Sequence, residues 1–469
     1  MESRPPEIGH DEDRISALPE ELLLGILERV GLRDAVRAGV ASTRWRHLPH
    51  QLSRVDLDVR DFQGTTPAET MDAFAGATQR LLSTAECKCD CSSRRAVKII
   101  RLRLYLSVSV THLDSIGRAV EDTMSRGETD IFEFELLVHS SELIASRQPD
   151  WHAEFGHKFM SFYRACHSAF RLLTDLSLTS LEFGGSDLPS LLGACAKLKL
   201  LSLKSCRMAG YSSLMIDVPN SAIHGLKFIN FGCKRIELVS VPLLREVLCL
   251  AWYSENTPVR FGYVPELRKV TLGCHSRAWQ APFKLSECFS INTRNLSKLC
   301  LNFRCQMIWI QPEHPMQLTS IFENLTDVYL THIFPECDLS WTLFILEAAP
   351  AMRTFLLDRA RHSCAETSEH SAEKANVVWE PSKDLKHPNL RLLLMSGFEE
   401  EDKVANYIRL VMERAAGLKR IELHNDTCGA CDAVSLESPR RSQAGEDNSH
   451  RIKERLTSGP SSSVEIIIC

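Results

Sequence analysis

No apolar run in the 469-residue chain reaches the ~18 residues that a membrane helix needs, so the sequence predicts no membrane span. Excess positive charge is missing too. The formal net charge is −5 and the pI is near 6.4, which argues against a surface that coats nucleic acid. The polar, acidic opening Met-Glu-Ser-Arg-Pro-Pro-Glu reads as neither a secretory signal nor a transit peptide. Catalytic signatures are absent: no Gly-x-Gly-x-x-Gly, no Gly-Lys-Ser/Thr phosphate loop, no His-Glu-x-x-His and no Gly-x-Ser-x-Gly. Asp56, Asp58 and Asp61 alternate, but they lack the glycine and distal glutamate of a calcium loop and read as solvated strand residues. The sequence therefore gives an enzyme no positive support and calls for no cofactor.

Cysteine is plentiful instead, at 17 residues, an odd number that spreads along the chain. Most lie inside apolar runs, as Cys249, Cys300 and Cys469 do, and read as small buried thiols of an intracellular protein. Two groups are tighter: Cys87, Cys89 and Cys91, and Cys428 with Cys431 near His424. Neither has the second pair that a four-ligand zinc site requires, so both read as loop cysteines and no metal site is expected.

The richest local pattern lies at residues 14–51. Pro19 suits a helix start, and Glu20 and Glu21 complement the positive helix end. Leu22, Ile26 and Val30 then share one face, widened by Leu23 and Leu27. Gly31 is expected to stop this helix and Asp34 to cap a second one carrying Val36 and Val40. Thr43 opens a predicted third turn holding Trp45 and Leu48. Three short helices cannot bury this much apolar surface among themselves, so part of it should meet a partner.

The segments Leu18-Pro19, Leu32-Arg33-Asp34-Ala35-Val36-Arg37 and Trp45-Arg46-His47-Leu48, with the Leu/Ile run between, resemble an F-box. Gly31 stands where many members carry proline, and Thr43 where cysteine or arginine is frequent. The resemblance implies binding to a SKP-family adaptor and, through it, a cullin scaffold. The adaptor surface is expected among Leu18, Pro19, Leu22, Leu23, Ile26, Leu27, Val36, Val40 and Trp45, some of which must also serve the internal core.

Residues 52–469 repeat the phrase apolar-x-x-apolar-x-apolar. Its best copies start at Leu173, Leu198, Leu267, Leu296, Leu325 and Leu418, and poorer ones at Leu52, Val97, Ile131, Leu226, Leu244, Met352 and Leu390. Asn295, Asn324 and Asn389 each directly precede a starting leucine. The spacing suits one short strand per repeat, stacked into a parallel sheet with helical or irregular returns. Leu176, Leu201, Val270, Leu299, Val328 and Ile421 are expected to point inward. The phrase resembles the irregular leucine-rich repeats of plant F-box proteins, and the ending Arg451-Ile-Lys-Glu-Arg-Leu…Val464-Glu-Ile-Ile looks like that of the grass members. The expected fold is thus α/β: an N-terminal three-helix F-box followed by an irregular leucine-rich-repeat solenoid. Residues 1–13, 361–376 and 432–448 read as a tail and loops, and a helix capped by Ser449 plus a terminal strand should close the array.

Between the core positions of each strand, side chains face the concave side. That rule nominates Ile99, Arg101 and Arg103 early in the chain. It nominates Phe228, Asn230, Glu246, Leu248 and Leu250 in the middle, and Leu356, Leu392 and Leu394 later. From the middle onward the apolar members are either covered by loops or irregular packing or, with Trp252 and Tyr253 at the edge, form the surface for a target protein. The favoured reading is a substrate receptor of an SCF-type ubiquitin ligase. The alternatives are a repeat scaffold without a degradation role and an unrecognised enzyme.

Overall fold

The computed structural model describes residues 15, 17–82, 96–105, 110–127, 129–137, 151–252, 255–274, 282–304, 308–359, 377, 379–382, 385–424, 445–457 and 464–469. The predicted tail at 1–13, the loop at 361–376, most of that at 432–448, both tight cysteine groups and Tyr253 lie outside these residues. The chain divides into two compact units. One comprises residues 1–179 and 194–198, the other 180–193 and 199–469.

The first unit opens with helix α1 (Glu20–Leu27) and helix α2 (Leu32–Ala41). Pro19 sits at the N-cap of α1. The third helical element is shorter than expected, a single 3-10 turn at Leu48–Gln51. Gly31, not Asp34, occupies the N-cap of α2, and Asp34 lies in its first turn, where its charge favours the helix end. Four parallel strands follow, in the order β1 (Arg54–Asp58), β2 (Ile99–Tyr105), β3 (Ile131–Leu137) and β4 (Asp175–Thr179). Helices at Pro67–Leu82, Val110–Met124 and Trp151–Ala165 form the return limbs. Phe134, Phe162 and Phe170 make an aromatic cluster with ring centroids 5.5 to 6.2 Å apart. Phe134 and Leu136, the inward positions that follow from a unit start at Ile131, are buried together with Phe132, while Ile131 itself is half-buried.

The second unit carries β5 (Glu182–Phe183), β6 (Leu200–Lys204), β7 (Arg207–Met208), β8 (Leu214–Asp217), β9 (Gly225–Ile229), β10 (Ile236–Ser240), β11 (Glu246–Trp252) and β12 (Val259–Tyr263). It continues with β13 (Lys269–Cys274), β14 (Lys298–Asn302), β15 (Asp327–Ile333), β16 (Thr354–Arg359), β17 (Leu392–Ser396), β18 (Arg420–His424) and β19 (Glu465–Ile468). Strands β6-β9-β11-β13-β14-β15-β16-β17-β18-β19 pair in parallel. Leu201, Val270, Leu299, Val328 and Ile421 are all fully buried at equivalent register, as is Leu176 in the first unit. The three asparagines bridge neighbouring repeats: Asn295 Nδ2 donates to Pro265 O at 2.7 Å, Asn324 to Arg294 O at 3.0 Å and Asn389 to Pro350 O at 2.9 Å. Each amide satisfies a carbonyl that the strand ladder leaves open. The terminal strand β19 pairs with β18, and the helix before it starts at Gly445, upstream of Ser449.

A second parallel sheet, β8-β10-β12, has no counterpart in the repeat phrase of the sequence. It occupies the return limbs between β6 and β13, which include the two shortest of the array. A short limb must cover the same span as a long one, and a strand rises more than twice as far per residue as a helix. Cys206, Cys233, Cys249, Cys274 and Cys288 lie buried in this unit. Burial pushes the Cys206 and Cys233 thiols up to about 12, so they are inert fillers.

Candidate interaction surfaces

The F-box helices show two stripes. Leu23, Leu24 and Leu27 of α1 pack inward with Leu32 and Ala35 of α2, Leu48 and Leu52. Gly39 lets Pro49 approach closely, since a Cβ there would meet Pro49 Cγ at 3.2 Å. Polar ties hold the arrangement: Gln51 Nε2 donates to Glu20 Oε1 at 2.9 Å, Arg44 Nη2 to Leu18 O at 2.8 Å and Ser53 Oγ to Glu28 Oε1 at 2.7 Å. With this core complete, the other stripe stays in solvent. Leu22 is 55% exposed, Ile26 40%, Val30 42%, Val36 39% and Val40 77%.

Burial therefore corrects two assignments: Leu23 and Leu27 belong to the inner stripe and have no free surface. Pro19 is exposed, and Leu18 and Trp45 are half-buried. Ile15 and Val30 are exposed apolar residues that the candidate set omitted. Val30 was legible as the next i+4 step after Leu22 and Ile26.

On the inner face of the first unit, charges pair along the register. Arg101 Nε is 2.5 Å from Glu133 Oε2, Arg103 Nε is 3.0 Å from Glu135 Oε2, and Arg103 Nη1 is 3.5 Å from Asp58 Oδ2. Asp56 pairs with Arg54 at 3.0 Å and Asp61 with Arg33 at 3.5 Å, so the alternating aspartates serve ion pairs. Burial of Asp58 opposes its charge, but hydrogen bonds from Arg60 and the Arg103 charge outweigh it and lower its carboxyl pKa.

The inner face of the second unit is apolar in part. Leu248, Leu250, Leu356, Leu392 and Leu394 are half-buried on this face. Phe228 and Trp252 are corrected: both are buried in the core, and Trp252 Nε1 donates to Asn256 O at 2.9 Å. The unit begins at Ile223 rather than Leu226, which turns Phe228 inward and places Lys227 and Ile229 on the face. Tyr329, absent from the candidate set, lies between Cys300 and Leu356 in register, with Lys298 Nζ 4.2 Å from its ring centroid. Strict strand alternation from Val328 was the signal for it. The described residues contain no cluster suited to a metal ion and no helix long and apolar enough to cross a membrane.

Comparison with known families decides what these surfaces belong to. The profile of the family described as "At1g61320/AtMIF1, LRR domain" matches residues 160–457, and the F-box domain profile matches residues 15–54. The chain belongs to the plant F-box/leucine-rich-repeat family. An FBD-associated F-box protein of Arabidopsis thaliana is 48% identical over 67 residues, covering 14% of this chain and 15% of that protein. An F-box/FBD/LRR-repeat protein of the same plant is 44% identical over 52 residues, 11% of this chain and 12% of the relative. An F-box/LRR-repeat protein is 24% identical over 217 residues, 46% of this chain and 38% of the relative. The chain thus aligns with well under two thirds of each of these relatives. Both domains of the F-box/leucine-rich-repeat chain are of kinds that typically serve protein interaction without catalysis.

Proposed function

We propose that the chain is the substrate-recognition subunit of an SCF-type ubiquitin ligase, acting inside the cell in the nucleus, the cytoplasm or both. The F-box would bind a SKP-family adaptor and through it a cullin scaffold, while the repeat array would hold the protein to be ubiquitinated. The observation that carries this reading is the solvent-facing stripe Leu22, Ile26 and Val30 on α1, with Val36 and Val40 on α2, left over after the F-box core is complete. Large apolar side chains in such a stripe gain roughly 1.5–3 kcal/mol each when fully buried against a partner.

The test is a pull-down of recombinant SKP-family adaptor by the full chain. Leu22→Asp with Ile26→Asp should abolish capture, because it forces unpaired carboxylates into the interface. Both positions are exposed, so circular dichroism should be unchanged. Undiminished capture by the folded double variant sinks this interface. Adaptor-dependent ubiquitin transfer to a bound protein then separates a receptor from a scaffold.

A further inference from the structure

Charge on the inner face of the second unit is sorted along the sheet. Strands β6 to β14 present Lys204, Lys227, Lys269 and Lys298, with Glu246 as the one carboxylate among the inner-face positions there. Glu246 is taken by Lys269 at 2.6 Å. No carboxylate among the described residues neutralises Lys204 or Lys227. Strands β15 to β18 present Asp327, Asp358 and Glu422 instead, against Arg420 as the one permanent cation among the inner-face positions there. Arg420 is shared between Glu465 at 3.0 Å and Glu422 at 3.5 Å. His332 lies 3.7 Å from Asp358 and His424 3.6 Å from Glu422.

Half-buried apolar side chains accompany both halves. Ile229, Leu248 and Leu250 cluster beside the lysines. Tyr329, Leu356 and Leu394 are direct register partners on three successive strands among the carboxylates. Lys227 on β9 and Asp358 on β16 stand five strand steps apart, roughly 24 Å at the usual spacing. An extended segment of about eight residues spans that distance.

Resting on the reading of the array as a target-holding surface, we infer that this face takes a target-protein segment with dipolar charge. Its acidic end lies over Lys204 and Lys227, its basic end over Asp327 and Asp358, and its apolar side chains sit on the two leucine-containing patches. Opposed charges at the two ends fix where the segment sits and exclude segments of uniform charge.

Two synthetic peptides of identical composition test this on the full chain by fluorescence anisotropy. One has an acidic third, a central Leu/Phe third and a basic third; in the other the charges are interleaved. The ordered peptide should bind about tenfold more tightly at low salt, and the gap should close near about 0.5 M NaCl. Lys204→Glu with Lys227→Glu should erase the preference. Adding Asp327→Lys and Asp358→Lys to that variant should restore it, because the ordered peptide can then bind in the reverse direction. Equal affinities, no binding of either peptide, or no recovery in the fourfold variant overturns the inference. Adaptor capture by the same preparation reports separately on the receptor reading: capture with equal peptide affinities removes only the dipolar-segment proposal, and order-dependent binding without capture removes only the receptor role.

Discussion

The inner faces of the two units solve the same problem in opposite ways. Both are built from the solvent-side positions of parallel strands. In the first unit the charged positions are matched from within, as Arg101 and Arg103 pair with Glu133, Glu135 and Asp58 across neighbouring strands, while Ile99, Tyr105, Ile131 and Leu137 lie half-buried beside them. In the second, Leu248, Leu250, Leu356 and Leu394 stand half-exposed, and like charges gather instead of alternating. A face whose charges are already matched gains little from a partner. A face with uncovered apolar surface and sorted charge gains from one. The two faces therefore differ chiefly in charge: it is paired across strands in the first unit and sorted along the sheet in the second.

Faces of different kind require equally closed cores beneath them in both units. Phe134→Ala in the first unit and Phe228→Ala in the second should each cost about 3–5 kcal/mol, read from urea midpoints. A much smaller loss at Phe228 would mean that the second unit is loosely packed and its exposed leucines are a sign of that.

A backbone probe comes next in size. Gly397, with φ of 62°, ends β17, and a Cβ there would lie 1.8 Å from Arg359 O. Gly397→Ala should cost on the order of 2 kcal/mol or more, because both the left-handed conformation and the β16–β17 contact are lost. Hydrogen exchange should place the damage in the second unit.

Acid should separate the units more gently. Burial lowers the His387 pKa in the second unit, where the neutral ring accepts from Leu390 N at 3.0 Å and lies 2.9 Å from Ala349 O. A histidine with a lowered folded pKa is bound by fewer protons when folded, so its contribution is full above the ordinary 6.5 and is lost as pH falls through that value. In the first unit the lowered Asp58 contributes above the ordinary 3.8 and is lost only as pH falls through it toward the folded value. Exchange protection, corrected for intrinsic rates, should therefore weaken first around His387. Simultaneous loss near pH 4 would contradict the order.

The smallest effects are expected at the surface charges and leucines themselves. Glu133→Gln should cost about 0.2–1 kcal/mol, with the difference shrinking at high salt. Leu356→Ser should leave the urea midpoint nearly unchanged and show its effect in target capture. A salt-insensitive Glu133 variant would show that the first unit's ladder is not closed electrostatically.

The order of modules and the strand at nearly every repeat were legible in the sequence, because a period of two or of 3.6 residues is written directly in which side chains are apolar. The sequence also carried the asparagine bridges as Asn295, Asn324 and Asn389, each placed before its leucine. Which stripe faced the core was a different matter. Leu23 and Leu22 are the same residue type one position apart, and only the packing of α2 and Leu48 against one of them left the other in water. The register at Leu226 misled for the same reason: more than one phase satisfied the pattern, and neighbouring strands selected one. The second sheet and the charge sorting were decided by tertiary structure alone. Limb length chooses strand over helix only when both ends are anchored, and separated residues such as Lys227 and Lys204 become neighbours only through the strand ladder.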